Sequence, residues 1–458
     1  MLDKHKKYLP RYGENELYWG FGLEEETYLQ FKKPINVAIS VFNTSHARER
    51  YSVDYYKSYN PDYKDALAKD CAKPFTQIPF YINSHSFLHM DIHGEHTKTY
   101  TKNPMPNKKY SGETFFKSLQ LHDSKVFVDL HEISFTFDGD TVEFITQNFY
   151  KTKIKKVIKE LCYIKSIFLK SLNNFIKNHK YNFMHGTLIY PPINAPYTVY
   201  HSNPKNIAMF NNGTYHINIT LPTLLGPKDL DENPTLLYPN KFKEDHKKCI
   251  RLYQWLEPIL VAVYGTPDPL SKHSKKYSKA SQRSAVSRYI SLGTYDTDAM
   301  KEGKILTVPC NELAVYAQDF WWYKKYHASS GYIMLDSVGM DINYKKHYTH
   351  GIELRMLDWF DECKLKELST LLVYVADVSC IIDSVSNPSY SETWNTLVVD
   401  VLREGLDYIY PSHIIAVYEK IFDVELLGFV GNSHGLFTLL KEKLKAKYGK
   451  GICSKLML

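Results

Sequence analysis

The chain lacks paired cysteines, internal repeats and any hydrophobic run long enough to cross a bilayer. Its seven cysteines are odd in number and scattered without a Cys-x-x-Cys pair, which is typical of a reduced intracellular protein. The most apolar stretch, residues 371–382, is interrupted by Asp377 and is shorter than the ~20 residues of a transmembrane helix. No apolar segment follows the basic N-terminus, so no secretory signal is expected. We therefore predict a cytoplasmic protein with no membrane partner.

The composition predicts a folded protein with a sizeable core. Hydrophobic residues make up 44% of the 458 positions, and 57 Lys and Arg against 50 Asp and Glu give a net charge of +7. This modest positive charge is spread along the chain, which suits anionic small molecules and does not require nucleic acid. We predict one catalytic domain over residues 1–458, with a mobile Ser- and Lys-rich loop at 267–284 and a helical C-terminal region at 361–458.

Strand and helix signals alternate irregularly, which favours an α+β fold with a largely antiparallel sheet covered by helices. The dipeptide Asp138-Gly139 between two apolar runs predicts a β-hairpin. Strands are predicted at 17–31, 126–137, 141–146, 215–221 and 350–360, and helices at 153–178, 243–264, 364–385 and 411–427.

The helix predicted at 153–178 is amphipathic, with apolar residues at three- and four-residue spacing. Its lysines lie mostly on the other face. A basic face could contact a membrane or nucleic acid, but a core helix with a solvated basic surface is the commoner arrangement. We interpret it as a core helix.

The first predicted strand carries two carboxylates on one face. Strand alternation puts Glu24 and Glu26 together, while Phe21, Leu23 and Leu29 point the other way. Like charges so placed repel one another, and a bridging cation relieves the repulsion; carboxylate oxygens favour magnesium or manganese. The alternative is an acidic strand edge that faces solvent.

Two later strands carry further candidate ligands. Glu143 is a single carboxylate within an apolar, β-branched strand, where an unpaired glutamate is rare. Glu353 and Arg355 share one face of another strand, which suits a metal-binding carboxylate beside a phosphate-binding guanidinium. An internal Glu-Arg ion pair is the alternative for these two residues.

A fourth strand has the cleanest alternation in the chain. His216, Asn218 and Thr220 line one face, and a His-x-Asn pair can hold phosphate oxygens through neutral donors. A structural histidine is the alternative. The basic segment around Arg288 is a further candidate for phosphate binding, because the chain has no Walker-type glycine loop.

Together these segments resemble the glutamate-cysteine ligase family, and more distantly the wider group that contains glutamine synthetase and other carboxylate-amine ligases. Four short segments carry the resemblance in the family's order: GLEEE at 22–26, VEFIT at 142–146, YHIN at 215–218 and IELRMLD at 352–358. A fifth segment, Ser287-Arg288 followed by Gly293-Thr294-Tyr295, matches the family's S-x-R-x-x-x-x-G-Y pattern with an altered spacing. The resemblance implies metal ligands at Glu24, Glu26, Glu143 and Glu353, nucleotide or metal contacts at His216 and Asn218, and phosphate or substrate contacts at Arg355 and Arg288.

The resemblance also implies the reaction. An ATP- and Mg²⁺- or Mn²⁺-dependent ligase would activate a carboxylate, with glutamate the first candidate, as an acyl phosphate that an amine such as cysteine then attacks. Such an enzyme would serve glutathione biosynthesis, on a sheet shaped as a metal-nucleotide funnel.

Two alternatives remain open. One is a guanidino or amino kinase with a similar magnesium and arginine arrangement. The other is a metal- or nucleotide-binding protein without turnover. The spacing of His85, His89, His93 and His96 would suit a zinc site in such a protein.

Overall fold

The computed structural model describes residues 13–32, 81–82, 115–138, 141–179, 186–190, 213–230, 234–267, 278–281, 294–304, 342–344 and 351–458. Within these ranges antiparallel strands are combined with helices, which confirms the α+β prediction. The funnel shape and the single-domain organisation stay predictions.

Seven of the described strands form the main sheet. They run in the order β11-β12-β7-β1-β5-β4, with β8 also paired to β7, and every neighbouring pair is antiparallel. Two smaller sheets have the orders β3-β2-β6 and β10-β9. The strands are β1 (Leu17–Thr27), β2 (Leu29–Phe31), β3 (Tyr81–Ile82), β4 (Phe135–Asp138), β5 (Thr141–Ile145), β6 (Leu188–Ile189), β7 (Tyr215–Lys228), β8 (Pro234–Leu236), β9 (Thr294–Asp296), β10 (Lys301–Lys304), β11 (Ile342–Asn343) and β12 (Ile352–Leu354).

The described helices pack against the sheet and against each other. They are α1 (Phe115–His122), α2 (Ser124–Phe127), α3 (Ile154–Asn178), α4 (Pro239–Tyr264), α5 (Leu365–Ile381), α6 (Glu392–Glu404), α7 (Ser412–Phe422), α8 (Ser433–Tyr448) and α9 (Ile452–Met457). The long helix α4 contacts α5, α6, α7 and α8. Among the described residues, no helix has both the length and the apolarity that a bilayer crossing requires.

Helix α3 covers one face of the sheet at β1 and β5. The Phe168 ring meets the rings of Phe135 on β4 and Phe144 on β5 edge to face, with centroids 4.9 and 5.3 Å apart. The amphipathic pattern predicted this apolar face, and the structure confirms the core helix almost to the residue.

Other predicted bounds are only partly correct. The predicted strand at 126–137 is wrong over its first half, because Asp123 accepts a hydrogen bond from the Val126 amide at 3.3 Å and begins helix α2 there. The hairpin itself is confirmed, with Asp138 facing Thr141.

The strand predicted at 17–31 divides after Thr27 into β1 and β2, which belong to different sheets. Of the strand predicted at 350–360, the structure describes 351–360, and within these residues only Ile352–Leu354 is strand. The loop at 267–284 lies mostly outside the described residues.

Strand register brings the predicted polar positions onto one face of the main sheet. Directly opposed residues of antiparallel strands project to the same side. Glu24 faces His216, Asn218 faces Glu353, and Glu26 faces Glu143 across three neighbouring strand pairs. We call this side of β5, β1, β7 and β12 the site face.

Two glycines of β1 make room for an aromatic ring on the site face. A Cβ atom built on Gly20 or Gly22 would lie 2.2 or 2.1 Å from the ring of Phe149, which is buried. No side chain fits between this strand and that ring. The glycines before Glu24 therefore serve the packing of Phe149 beside the site.

Gly22→Ala is expected to destabilise the protein by about 1–3 kcal/mol, because the new methyl group must displace the buried Phe149 ring. Urea unfolding would measure the loss. Gly13→Ala is the control, because a Cβ there meets nothing within 4 Å. Equal stability of the two variants would contradict the packing role of Gly22.

Candidate metal centre

Three side chains from three adjacent strands meet on the site face. Glu24 of β1, His216 of β7 and Glu353 of β12 each offer one ligand atom, and these atoms all lie within 4.8 Å of one another. Their residues are 6%, 3% and 0% exposed. A group this buried needs compensation for the charge of its carboxylates.

The imidazole of His216 lies among three carboxylates. Its Nδ1 atom is 3.3 Å from Glu24 Oε2 and 3.4 Å from Glu353 Oε1. Its Nε2 atom is 3.8 Å from Glu26 Oε1. One ring therefore faces carboxylates contributed by both neighbouring strands.

Two amides orient the carboxylates by hydrogen bonds, and a guanidinium lies near one of them. Asn218 Nδ2 donates to Glu24 Oε1 at 3.1 Å, and Asn343 Nδ2 of β11 donates to Glu353 Oε2 at 3.2 Å. Arg355 Nη1 lies 4.0 Å from the same Glu353 oxygen. The two amide donors fix the orientation of the carboxylates that they contact, as outer-shell partners of metal ligands do.

The donor set of this face suits a cation. Glu24, Glu26 and Glu353 are buried carboxylates, and the partly exposed guanidinium of Arg355 lies 4.0 Å from Glu353 Oε2. A divalent ion within reach of two carboxylates and one imidazole would take one donor atom from each of these three side chains. Carboxylate oxygens suit Mg²⁺ and Mn²⁺, and an added imidazole nitrogen favours the transition metal of the two. The residues present fit such an ion.

The structure brings together most, not all, of the predicted site residues. Glu26 faces Glu143 on β5, where Glu143 is half-buried and lies outside the group of three. A metal role for Glu143 stays a prediction. Arg288 and the four histidines at 85, 89, 93 and 96 lie outside the described residues. His216, for which the resemblance implies a contact with nucleotide or metal, is grouped here with the carboxylates.

The opposite face of β1 holds a feature that the sequence interpretation missed. Glu25 is fully buried, and the Lys165 ammonium of α3 lies 2.7 Å from Glu25 Oε2 and 2.6 Å from Glu362 Oε2. We call Glu25, Lys165 and Glu362 the buried ion triad. Burial by itself would lower the pKa of Lys165, but the two carboxylates outweigh that effect and the pKa is raised.

A sequence signal for this lysine exists. Lys165 is four residues after Leu161 and three before Phe168, both on the apolar face of α3. It is thus an exception to the solvated lysines predicted for this helix, and a lysine at a core position needs a carboxylate partner.

The fold and the site define the class: an α+β protein with a candidate divalent-cation centre of two carboxylates and one imidazole on an antiparallel sheet. The chain belongs to the family of "Uncharacterized protein R704" of Acanthamoeba polyphaga mimivirus. The two are 36% identical over 460 residues, which cover 99% of this chain and 79% of that protein.

The chain was also compared with family models and with solved structures. No family model matches the chain. Among solved structures, the crystal structure of a bifunctional glutathione synthetase from Pasteurella multocida aligns with a TM-score of 0.37 and 13% identity. The alignment covers 96% of this chain and 49% of that one, so the chain spans about half of that protein's length.

Proposed function

We propose that the chain is an ATP-dependent carboxylate-amine ligase that forms an amide through an acyl phosphate, with glutamate the first carboxylate to test and cysteine the first amine. The observation that carries the proposal is the convergence of Glu24, His216 and Glu353 on a buried face of the sheet. This donor set suits the divalent cation that phosphoryl transfer from ATP requires.

The arrangement of the family-like segments adds support. The segments at 142–146, 22–26, 215–218 and 352–358 lie largely on four neighbouring strands, β5, β1, β7 and β12. Six of their side chains share the site face through direct register pairs: Glu24 with His216, Glu26 with Glu143, and Glu353 with Asn218. Short matches scattered over more than 300 residues of sequence thus become one surface.

Each group on this surface has a role in the proposed reaction. A bound Mg²⁺ or Mn²⁺ supplies charge neutralisation for the triphosphate. Glu24, Glu353 and His216 would hold that ion, and Asn218 keeps Glu24 in place by its hydrogen bond. Arg355, partly exposed beside Glu353, would stabilise negative charge on the phosphoryl group as it moves.

An oxygen-18 experiment tests the chemistry. In the proposed route a carboxylate oxygen attacks the γ-phosphorus of ATP, and ADP leaves as the bond between that phosphorus and the β,γ-bridging oxygen breaks. The attacking oxygen then bridges carbon and phosphorus in the acyl phosphate. When the amine attacks the acyl carbon, the carbon-oxygen bond breaks and that oxygen leaves with phosphate. We expect ¹⁸O from labelled glutamate to appear in inorganic phosphate, one atom per amide formed, as measured by mass spectrometry.

The same experiment separates the competing activities. Label transfer should require ATP, Mg²⁺ or Mn²⁺ and the amine together. A kinase that phosphorylates nitrogen leaves the carboxylate label in place and yields a phosphorylated amine, which would sink the ligase proposal. Binding of cation and ATP without any ADP formation, over a screen of amino acids and amines, would favour a protein without turnover.

A further inference from the structure

The buried ion triad lies directly behind the candidate metal centre. Glu25 stands between Glu24 and Glu26 in β1, so its side chain points to the face that α3 covers. Glu24 and Glu26 on the site face and Glu25, which pairs with Lys165 on the opposite face, are therefore three consecutive residues of one strand. A displacement of Glu25 moves the two neighbouring carboxylates with it.

The triad also reaches the segment that follows β12, the strand that supplies Glu353. Glu362 follows β12 by eight residues, and Trp359 from the same segment donates its indole N–H to Glu25 Oε1 at 3.1 Å. Lys165 thus links β1 to the segment after β12 through one ammonium group that contacts both carboxylates. Strand β1 carries Glu24, and β12, which precedes that segment, carries Glu353; β7 lies between the two strands in the sheet.

The energetics make this link strong. Glu25 is 0% exposed and the Lys165 side chain 8%, so neither charge can be hydrated if its partner is removed. Breaking one side of such a pair leaves an uncompensated charge inside the protein, which the backbone relieves by moving or by admitting water. The Lys165 ammonium also lies 5.0 Å from the centre of the Tyr190 ring, which further defines its position.

We propose that Lys165 is a positioning residue that sets the spacing of Glu24 and Glu353 from behind the sheet and thereby the affinity of the site for divalent cations. The inference rests on the cation site of the proposed function. Lys165 lies behind β1, on the side opposite the candidate metal centre, and acts through its contacts with Glu25 and Glu362.

The test is a Mn²⁺ titration of the full chain, followed by the electron paramagnetic resonance of free Mn²⁺. Lys165→Met is expected to weaken Mn²⁺ binding by about 10-fold or more, as loss of outer-shell partners of metal ligands does. Glu362→Gln, at the partly exposed end of the triad, should weaken it in the same direction by a smaller factor.

A core truncation elsewhere separates positioning from general destabilisation. Leu402→Ala removes a buried side chain of α6, which packs on α4, and should lower the melting temperature without changing the Mn²⁺ affinity. If Lys165→Met binds Mn²⁺ as wild type does, or if Leu402→Ala weakens binding equally, the positioning role is overturned. Should Lys165→Met fail to fold, Glu362→Gln decides: wild-type affinity in that variant overturns the inference.

The readout also keeps this inference distinct from the ligase proposal. Mn²⁺ binding needs neither ATP nor amine. A wild-type chain that binds Mn²⁺ but forms no amide contradicts the ligase and leaves the role of Lys165 to be decided by its variants. A wild-type chain that binds no Mn²⁺ overturns both.

Discussion

Glu353→Gln and Glu24→Gln are each expected to lower metal-dependent turnover by about 100-fold or more, since even outer-shell partners of metal ligands are worth 10- to 100-fold. Both substitutions preserve size and remove the negative charge that would attract the cation. Glu353 should show the larger loss, because it is the fully buried member of the group and contacts His216, Asn343 and Arg355. Steady-state ADP release and Mn²⁺ titration measure the effect.

The matched control is Glu442→Gln, which removes the same charge from an exposed position on α8. Its turnover and cation affinity should equal those of the wild type. Circular dichroism should show that all three variants retain the fold. Near-normal activity in both Glu24→Gln and Glu353→Gln would contradict the metal assignment.

Arg355→Lys is expected to be nearly as damaging as Arg355→Ala, with turnover reduced by about 100-fold in each, the scale found when one donor to transition-state charge is removed. Lysine keeps the positive charge but loses the planar fork that can engage two phosphoryl oxygens. The loss should fall on kcat more than on KM, because the proposed contact strengthens as charge develops on the moving phosphoryl group.

A second arginine supplies the comparison. Arg403 on α6 lies 3.9 Å from Asp400 in a partly exposed ion pair one helical turn apart, so Arg403→Lys, which keeps the charge, should leave kcat and stability almost unchanged. If Arg355→Lys behaved like Arg403→Lys and retained most activity, Arg355 would be a structural partner of Glu353 and not a phosphate ligand.

Local patterns predicted the elements whose signals are strong and uninterrupted. The three- and four-residue spacing in α3 and the Asp-Gly hairpin between β4 and β5 are local properties, and the structure confirms both. The strand predicted over 126–137 is wrong at its start because a capping side chain, Asp123, begins a helix where the apolar residues alone suggested extension. The apolar residue types favour a strand there, but the hydrogen bond from the Asp123 cap stabilises the start of a helix.

Strand alternation also predicted which side chains share a face. Glu24 with Glu26, His216 with Asn218, and Glu353 with Arg355 follow from the two-residue period of a strand. The same rule leaves Glu25 on the opposite side. The two-residue period does not predict which element covers the opposite face of β1. Glu25 is buried against Lys165 because α3 packs on that face.

The sequence by itself determined the α+β class, the faces of the strands and the residue types that could hold a cation, because these depend on composition and on periods of two and 3.6 residues. Only the tertiary structure decided that His216 lies between Glu24 and Glu353, that Phe149 fills the space above Gly20 and Gly22, and that Lys165 pairs with Glu25 and Glu362. Each of these contacts joins residues far apart in the chain. Sheet register and helix packing set such contacts, and both depend on which strands and helices meet when the core is buried, which the pattern within one element does not specify.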